Sequence, residues 1–248
     1  MNELSLFTGI GGGVLGTKLL GWRTVGYVEI NEYCQKIISQ RIKDGIFDDA
    51  PIFGDIREFI DQGYAAAYQG LVDVITAGFP CQPFSLAGSK RGQHDDRNLW
   101  PETIEVVRQV EPRYVFLENV PGLLSFEYFG TILGDLSESG YDARWKTISA
   151  AEVGAPHRRD RVWIVAHSHF QPDTEAIETL LSERTWTRSS WNNADCLFGG
   201  KKSSVPGVLS ESDVCREAHG VPYRIQRLKA LGNAQVPAVV RTVWEILG

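Results

Sequence analysis

The chain has 248 residues, with 25 Lys+Arg against 31 Asp+Glu and a formal net charge of −6, a length that fits one α/β domain with a small appended lobe. Hydrophobic residues at 43% and charged residues at 23% exclude a disordered or fibrous chain. No apolar run approaches the roughly 18 residues of a membrane span and Met1-Asn2-Glu3 lacks a basic signal-peptide start, so a cytoplasmic protein is expected.

In chain order, Leu4–Phe7 reads as a strand that ends in the Gly-rich turn Thr8-Gly9-Ile10-Gly11-Gly12-Gly13, followed by a short helical pattern through Leu20. Thr24–Ile30 reads as a second strand, and Asn31 as the cap of a helix to about Lys43. Phe53–Ile56 is a brief third strand end and Val72–Ala77 a buried fourth strand, before a loop of Pro, Gly, Ser and charge from Phe79 to Asn98. Leu99–Val110 reads as helix, Tyr114–Leu117 as strand, Phe126–Ser139 as helix, and Arg144–Ser149 and Arg161–Ala166 as strands. This alternation argues for a parallel sheet with helices on both faces. Residues 167–222 are polar and without periodicity; helical patterns return at Arg224–Leu231 and Val236–Leu247, separated by Gly232-Asn233. The last helix is expected to pack back on the first lobe.

The acidic total argues against a nucleic-acid partner only if charge is evenly spread. It is not: residues 1–74 are net −4, residues 75–142 net −5 and residues 143–248 net +3. An acidic catalytic lobe joined to a lobe that meets a polyanion fits that split, as does a solvated surface with random fluctuation. The four cysteines, Cys34, Cys81, Cys196 and Cys215, include no CxxC pair. They read as reduced thiols. Cys196, Cys215 and His219 make a poor metal set, with three ligands and no paired spacing, and no metal is expected.

Four constellations carry chemistry. The first is the Gly-rich turn between strand and helix, which lets backbone approach a ligand. Glu29 at the end of strand two is placed to accept from ribose hydroxyls, and Asp55 at the end of strand three from an adenine amino group, because ligands sit at the carboxyl edge of such sheets. The second is Gly78-Phe79-Pro80-Cys81-Gln82-Pro83-Phe84-Ser85. Its thiol, with an ordinary pKa of about 8.5, needs a positive field to act as a nucleophile. The third is the carboxylate of Glu118 at the next strand end, expected within a few ångströms of Cys81 if the two strands are adjacent. The fourth is Ala155-Pro156-His157-Arg158-Arg159-Asp160-Arg161, where strand alternation sends Arg159 and Arg161 to one face.

Together these segments resemble the DNA (cytosine-5-)-methyltransferases of bacterial and phage type. The matches are LFTGIGGG at 6–13, Glu29, GDI at 54–56, GFPCQPFS at 78–85, ENVPG at 118–122, APHRRDRVWIVA at 155–166 and LKALGNAQVP at 228–237, in the family's order. His157 stands where Gln is usual, and Gln235 where an aliphatic residue is common. The resemblance implies a Rossmann-like, S-adenosylmethionine-dependent methyltransferase fold: a mixed sheet with helices on both faces and a small irregular target-recognition lobe. It divides the chain into a catalytic and cofactor-binding domain at 1–166, a recognition region at 167–222, and C-terminal helices at 223–248 that return to the catalytic domain.

The same resemblance implies a mechanism. Cys81 attacks C6 of a cytosine flipped out of duplex DNA, Glu118 serves N3, Arg161 holds O2 and Arg159 supports the loop and favours the thiolate. The methyl comes from S-adenosyl-L-methionine, held by Phe7, Gly9, Ile10, Gly11, Glu29, Ile30, Asp55, Ile56, Pro80, Leu99, Asn233 and Ala234. DNA contacts are expected from Gln82, Ser85, Lys90, Arg91 and Arg97 in a lid-like loop, from Arg184, Arg188, Lys201 and Lys202 in the recognition region, and from Arg227; Asn192, Asn193 and Arg216 are further candidates by residue type. The expected protein is a monomer acting at a short double-stranded DNA site, with a cognate restriction endonuclease as a possible companion. The rival readings are a transfer-RNA cytosine-5 methyltransferase of the same superfamily and a catalytically silent DNA-binding relative. The first is disfavoured because the only stretch like its Cys-Phe-Thr signature is Cys196-Leu197-Phe198; the second because Cys81 and Glu118 are both present.

Overall fold

A computed structural model describes residues 1–80, 98–125, 127–169 and 224–248. The expected lid loop from Cys81 to Arg97 and the recognition region from residue 170 onward lie outside the described residues.

Seven strands, β1 (Asn2–Leu6), β2 (Arg23–Val28), β3 (Ile52–Phe53), β4 (Val74–Ala77), β5 (Tyr114–Asn119), β6 (Tyr141–Ser149) and β7 (Asp160–Ser168), form one sheet in the order β3-β2-β1-β4-β5-β7-β6. The first five are parallel. The all-parallel expectation fails at the far edge: β7 inserts between β5 and β6 and runs antiparallel to both. The sheet is mixed, as the family resemblance implies. Because β7 is reversed, it begins at the edge of the sheet where β4 and β5 end, which delivers Arg161 beside Glu118.

Side-chain alternation sorts the strands into two faces. Leu4, Leu6, Ile75, Val115, Leu117, Val162 and Ile164 form one core with α3 (Ile56–Asp61), α4 (Tyr64–Ala67), α5 (Trp100–Val110) and α6 (Tyr128–Glu138). On the other face, Val74, Tyr114, Phe116, Trp163 and Val165 pack against Val239, Val240 and Val243 of α8 (Pro237–Leu247), while α1 (Gly12–Lys18) and α2 (Glu32–Lys43) enclose Tyr27, Ile38 and Phe47. Each α8 valine removed from water is worth about 1.5–3 kcal/mol, and Trp244 adds an edge contact to Trp22 at 4.6 Å between ring centroids. The helices α3 and α4 had no sequence expectation; with six and four residues they are too short for a periodic signal. Asn31 caps α2 as expected, its Oδ1 accepting from Tyr33 and Cys34 backbone N–H groups at 3.0 and 3.2 Å. Among the described residues, the remaining α-helix, α7 (Arg224–Asn233), includes Gly232-Asn233, where the sequence pattern predicts a break between two helices.

The order of strands reverses between β1 and β4, so connections leave in opposite directions and open a crevice beyond their carboxyl ends, the usual place for a ligand in an open α/β sheet. Thr8 and Phe79 both lie there. No described helix is long and apolar enough to cross a membrane.

Candidate active site

The β1 end of the crevice is organised by backbone. Phe7 takes a left-handed conformation with φ 52°, followed by Gly9 at 58°. A Cβ at Gly9 would meet nothing within 4 Å, so the glycine answers to the turn and leaves open space above it. Glu29, buried at the end of β2, accepts from the Gly9 backbone N–H at 2.7 Å through Oε2 and from the Asn31 backbone N–H at 2.7 Å through Oε1. The carboxylate therefore shapes the turn while retaining lone pairs for hydroxyl donors. Next to it Ile30 is 66% exposed, an apolar surface at the mouth of the crevice.

Asp55 lies at the end of β3, but one oxygen caps α3, accepting from the Arg57 backbone N–H at 2.9 Å. The Ile56 side chain is buried in the core, so only its backbone can face a ligand. Pro80 and Leu99 flank the segment outside the described residues and are half-buried; Asn233, the last residue of α7, is exposed and Ala234 half-buried.

The glycines at 11, 12, 13 and 16 also keep space for packing. A Cβ at Gly11 would overlap the Phe47 ring, one at Gly12 the Gln235 carbonyl, one at Gly13 the Gln235 side chain and one at Gly16 Val240. The glycine-rich start of α1 is the floor on which residues 234–240 lie. Hydrophobic patterning does not report such a need for space, so this was not visible as packing.

At the other end of the crevice charge does the organising. Glu118 Oε1 pairs with Arg161 Nε at 2.8 Å. Burial pushes the Glu118 carboxyl above the usual glutamate range, opposed by Arg161, by Arg159 and by a hydrogen bond from Gln235. Arg159 is not on the strand: it precedes β7 with φ 40°, so strand alternation is not what brings it to the side of Arg161. Its guanidinium donates to the carbonyls of Gly232 at 2.8 Å and Ala234 at 2.6 Å, clamping the segment after α7 over the site. Glu118, Arg159, Arg161, Trp163, Gln235, Val236 and Val239 line one small cleft.

Two contributors were missed in the sequence. Asn119 donates through Nδ2 to the Phe79 carbonyl at 3.2 Å, tying the residue two before Cys81 to β5; its place in ENVPG was the available signal. Gln235, noted only as a departure, faces Glu118. Gly78 sits against both, since a Cβ there would lie 3.1 Å from Glu118 Oε2 and from Gln235 Nε2.

Cys81, Gln82, Ser85, Lys90, Arg91, Arg97, Arg184, Arg188, Lys201 and Lys202 lie outside the described residues, as do Asn192, Asn193 and Arg216. Arg227 is exposed on α7. No group of three or more His, Cys, Asp or Glu side chains suited to a metal occurs among the described residues.

The family model of C-5 cytosine-specific DNA methylase matches residues 1–201. The chain belongs to this family. Curated relatives include Type II methyltransferase M.CviJI of Paramecium bursaria Chlorella virus IL3A, 35% identical over 193 residues, covering 77% of this chain and 48% of the relative. Type II methyltransferase M.NgoMIV of Neisseria gonorrhoeae is 33% identical over 203 residues, covering 74% and 62%. The chain thus spans about half to three-fifths of the length of these family members. Among solved structures, a DNMT2 mutant of Spodoptera frugiperda shares the fold with a TM-score of 0.64 at 16% identity, covering 99% of this chain and 98% of its own. A putative DNA modification methyltransferase encoded within an E. coli prophage has a TM-score of 0.54 at 22% identity, covering 89% and 56%.

Proposed function

We propose that the chain transfers a methyl group to C5 of cytosine in duplex DNA at a short specific sequence. The observation that carries this reading is the Glu118–Arg161 pair in a cleft adjoining Gly78, three residues ahead of Cys81. Cytosine C5 is a weak nucleophile, so the ring must be activated by addition at C6. Cys81 supplies the thiolate that adds there. Glu118 carries a proton in its desolvated setting and gives it to N3, which receives the charge pushed into the ring. Arg161, already against Glu118, donates to O2, and Arg159 holds residues 232–234 over the site. After methylation a water-derived base takes the C5 proton, the Cys81 sulfur leaves C6 as thiolate and N3 returns its proton to Glu118, restoring the neutral aromatic ring. A stacked base cannot reach these groups, so the cytosine is flipped out at a cost of a few kcal/mol.

The crevice fits S-adenosylmethionine. The open space above Gly9, the Glu29 carboxylate, the exposed Ile30 and the end of β3 at Asp55 offer backbone, acceptor and apolar surfaces in the order that a sulfonium, a ribose and an adenine need. Held there, S-adenosylmethionine would supply the methyl group. Phe7, Ile10, Gly11, Pro80, Leu99, Asn233 and Ala234 complete the binding set, together with Ile56 through its backbone.

Residues 167–222 read the target bases, and the basic residues of the last third of the chain meet phosphate. Bisulfite sequencing of DNA from cells expressing the chain reports activity and target together; methylcytosine at one recurring short sequence is expected. Cys81→Ser abolishes methylation while DNA and cofactor binding stay measurable. A variant with near-normal turnover, or methyl transfer to RNA but not duplex DNA, overturns the reading. DNA affinity falls with rising salt through a handful of phosphate contacts, measured by titration at two ionic strengths.

A further inference from the structure

Gln235 occupies a position where the family resemblance leads one to expect an aliphatic side chain, and it is in contact with the catalytic strand. Its amide spans three separate elements. Oε1 lies against Gly13 of α1, where a Cβ would overlap it. Nε2 lies beside Gly78 after β4, and so does Glu118 Oε2 on β5. The side chain faces Glu118 in the cleft and favours its ionised form, and the other carboxyl oxygen, Oε1, is held by Arg161. Glycines at 13 and 78 leave the room that this longer side chain needs, so the three residues form one fitted set. An aliphatic residue would fill the same space but give Oε2 no donor.

We propose that Gln235 is a positioning residue for Glu118, its amide fixing the Oε2 side of the carboxyl while Arg161 fixes the Oε1 side, so that the proton-carrying group has one orientation toward the flipped base. The proposal rests on the reading of Glu118 as the group that serves N3. Its second consequence is a link between two parts of the site. Gln235 follows Asn233 and Ala234, and Arg159 grips the same turn through the Gly232 and Ala234 carbonyls. The segment that closes the cofactor crevice therefore also sets the acid.

Among the described residues, the charged groups facing Glu118 are Arg161 from β7 and Arg159 from the turn before it, while the C-terminal segment contributes the neutral Gln235. Losing the amide removes a donor that favours the ionised carboxylate, so the proton is held to higher pH.

The test measures kcat, and KM for S-adenosylmethionine, for methyl transfer to duplex DNA from about pH 6 to 9, with thermal melts of each variant. Gln235→Met keeps the length and removes the donor; Gln235→Val restores the residue type common at this place and reports if the Met variant fails to fold. For either, kcat falls about tenfold at neutral pH, the KM changes less than the kcat, and the alkaline limb of kcat moves to higher pH. A wild-type profile without an alkaline limb, or a limb that stays in place when the amide is gone, overturns the proposal. A fall in kcat with an unmoved profile means that Gln235 only packs, and overturns it too. Glu118→Gln separates the two readings: if that variant turns over normally, the role of Glu118 itself is wrong. If it is inactive and the Gln235 variants keep the wild-type limb, only the role of Gln235 is wrong.

Discussion

Two glutamates on the same face of one sheet are buried in opposite company. Glu3 on β1 is completely enclosed and receives three hydroxyl hydrogen bonds, from Thr17 at 2.6 Å, Thr24 at 3.1 Å and Thr76 at 2.6 Å. Glu118 on β5 meets two guanidiniums and an amide at the edge of a cleft. Burial raises both carboxyls above the ordinary range. Desolvation alone therefore does not mark the one proposed to be reactive. A hydroxyl cage serves an acid or an anion without adding charge, and a proton on Glu3 has no exit. A proton on Glu118 sits beside cations that favour its departure and an opening through which it can go.

The sharpest way to break this contrast is to neutralise each carboxyl in turn. Glu118→Gln should cost about 10²–10⁴-fold in methyl transfer, whereas Glu3→Gln should retain turnover per folded molecule; a radiolabelled methyl assay that ranks them the other way would refute the assignment. Next in size is Glu3→Ala, which strands three buried hydroxyls and should destabilise the fold by about 3 kcal/mol or more in urea unfolding. A loss below about 1 kcal/mol would show that the cage does not stabilise β1. Gly16→Ala pushes a methyl into Val240 and to 2.8 Å from the Pro237 carbonyl, lifting α8 from the sheet face that holds Glu118. A loss of about 1–3 kcal/mol is expected for such overpacking, with thermal melting as the check.

The smallest effect is on pH dependence. Glu3 titrates above the ordinary glutamate value of 4.5, so above 4.5 the unfolded chain gives up a proton that the fold keeps. The unfolded state then binds fewer protons, and stability falls as pH rises through that window. Glu3→Gln has no such proton, so wild-type stability relative to this variant should decline steadily from pH 4.5 upward. Parallel pH profiles would place the wild-type carboxyl back in the ordinary range.

The Glu118 side of this contrast was legible in the sequence. Glu118 and Arg161 lie in segments whose residue types demand chemistry, and the strands that became β4 and β5 were each readable, though their adjacency was only a condition. Asn31 declared its cap by type and position. What stayed hidden depends on contacts between distant segments. Insertion of β7 ahead of β6 is a choice of pairing partner that alternation along either strand does not encode. Arg159 reaches the cleft from a left-handed residue, where a strand rule does not apply. Gly12 and Gly13 looked like part of a ligand loop because spacing does not say whether space is kept for a ligand or for residues 234–240. Glu3 drew no notice at all, since its three partners come from α1, β2 and β4.

The two ends of the crevice also mature at different times during synthesis. The Gly9–Glu29 contact joins residues 20 apart, so it can form as soon as a short stretch has emerged from the ribosome. The Arg159 clamp on Ala234 spans 75 residues, and Arg161 reaches Glu118 only after the β6–β7 hairpin has slotted beside β5. Loop closure over such separations is entropically dearer and slower. A nascent chain thus brings Gly9 and Glu29 together well before Arg159 can grip Ala234 or Arg161 can reach Glu118.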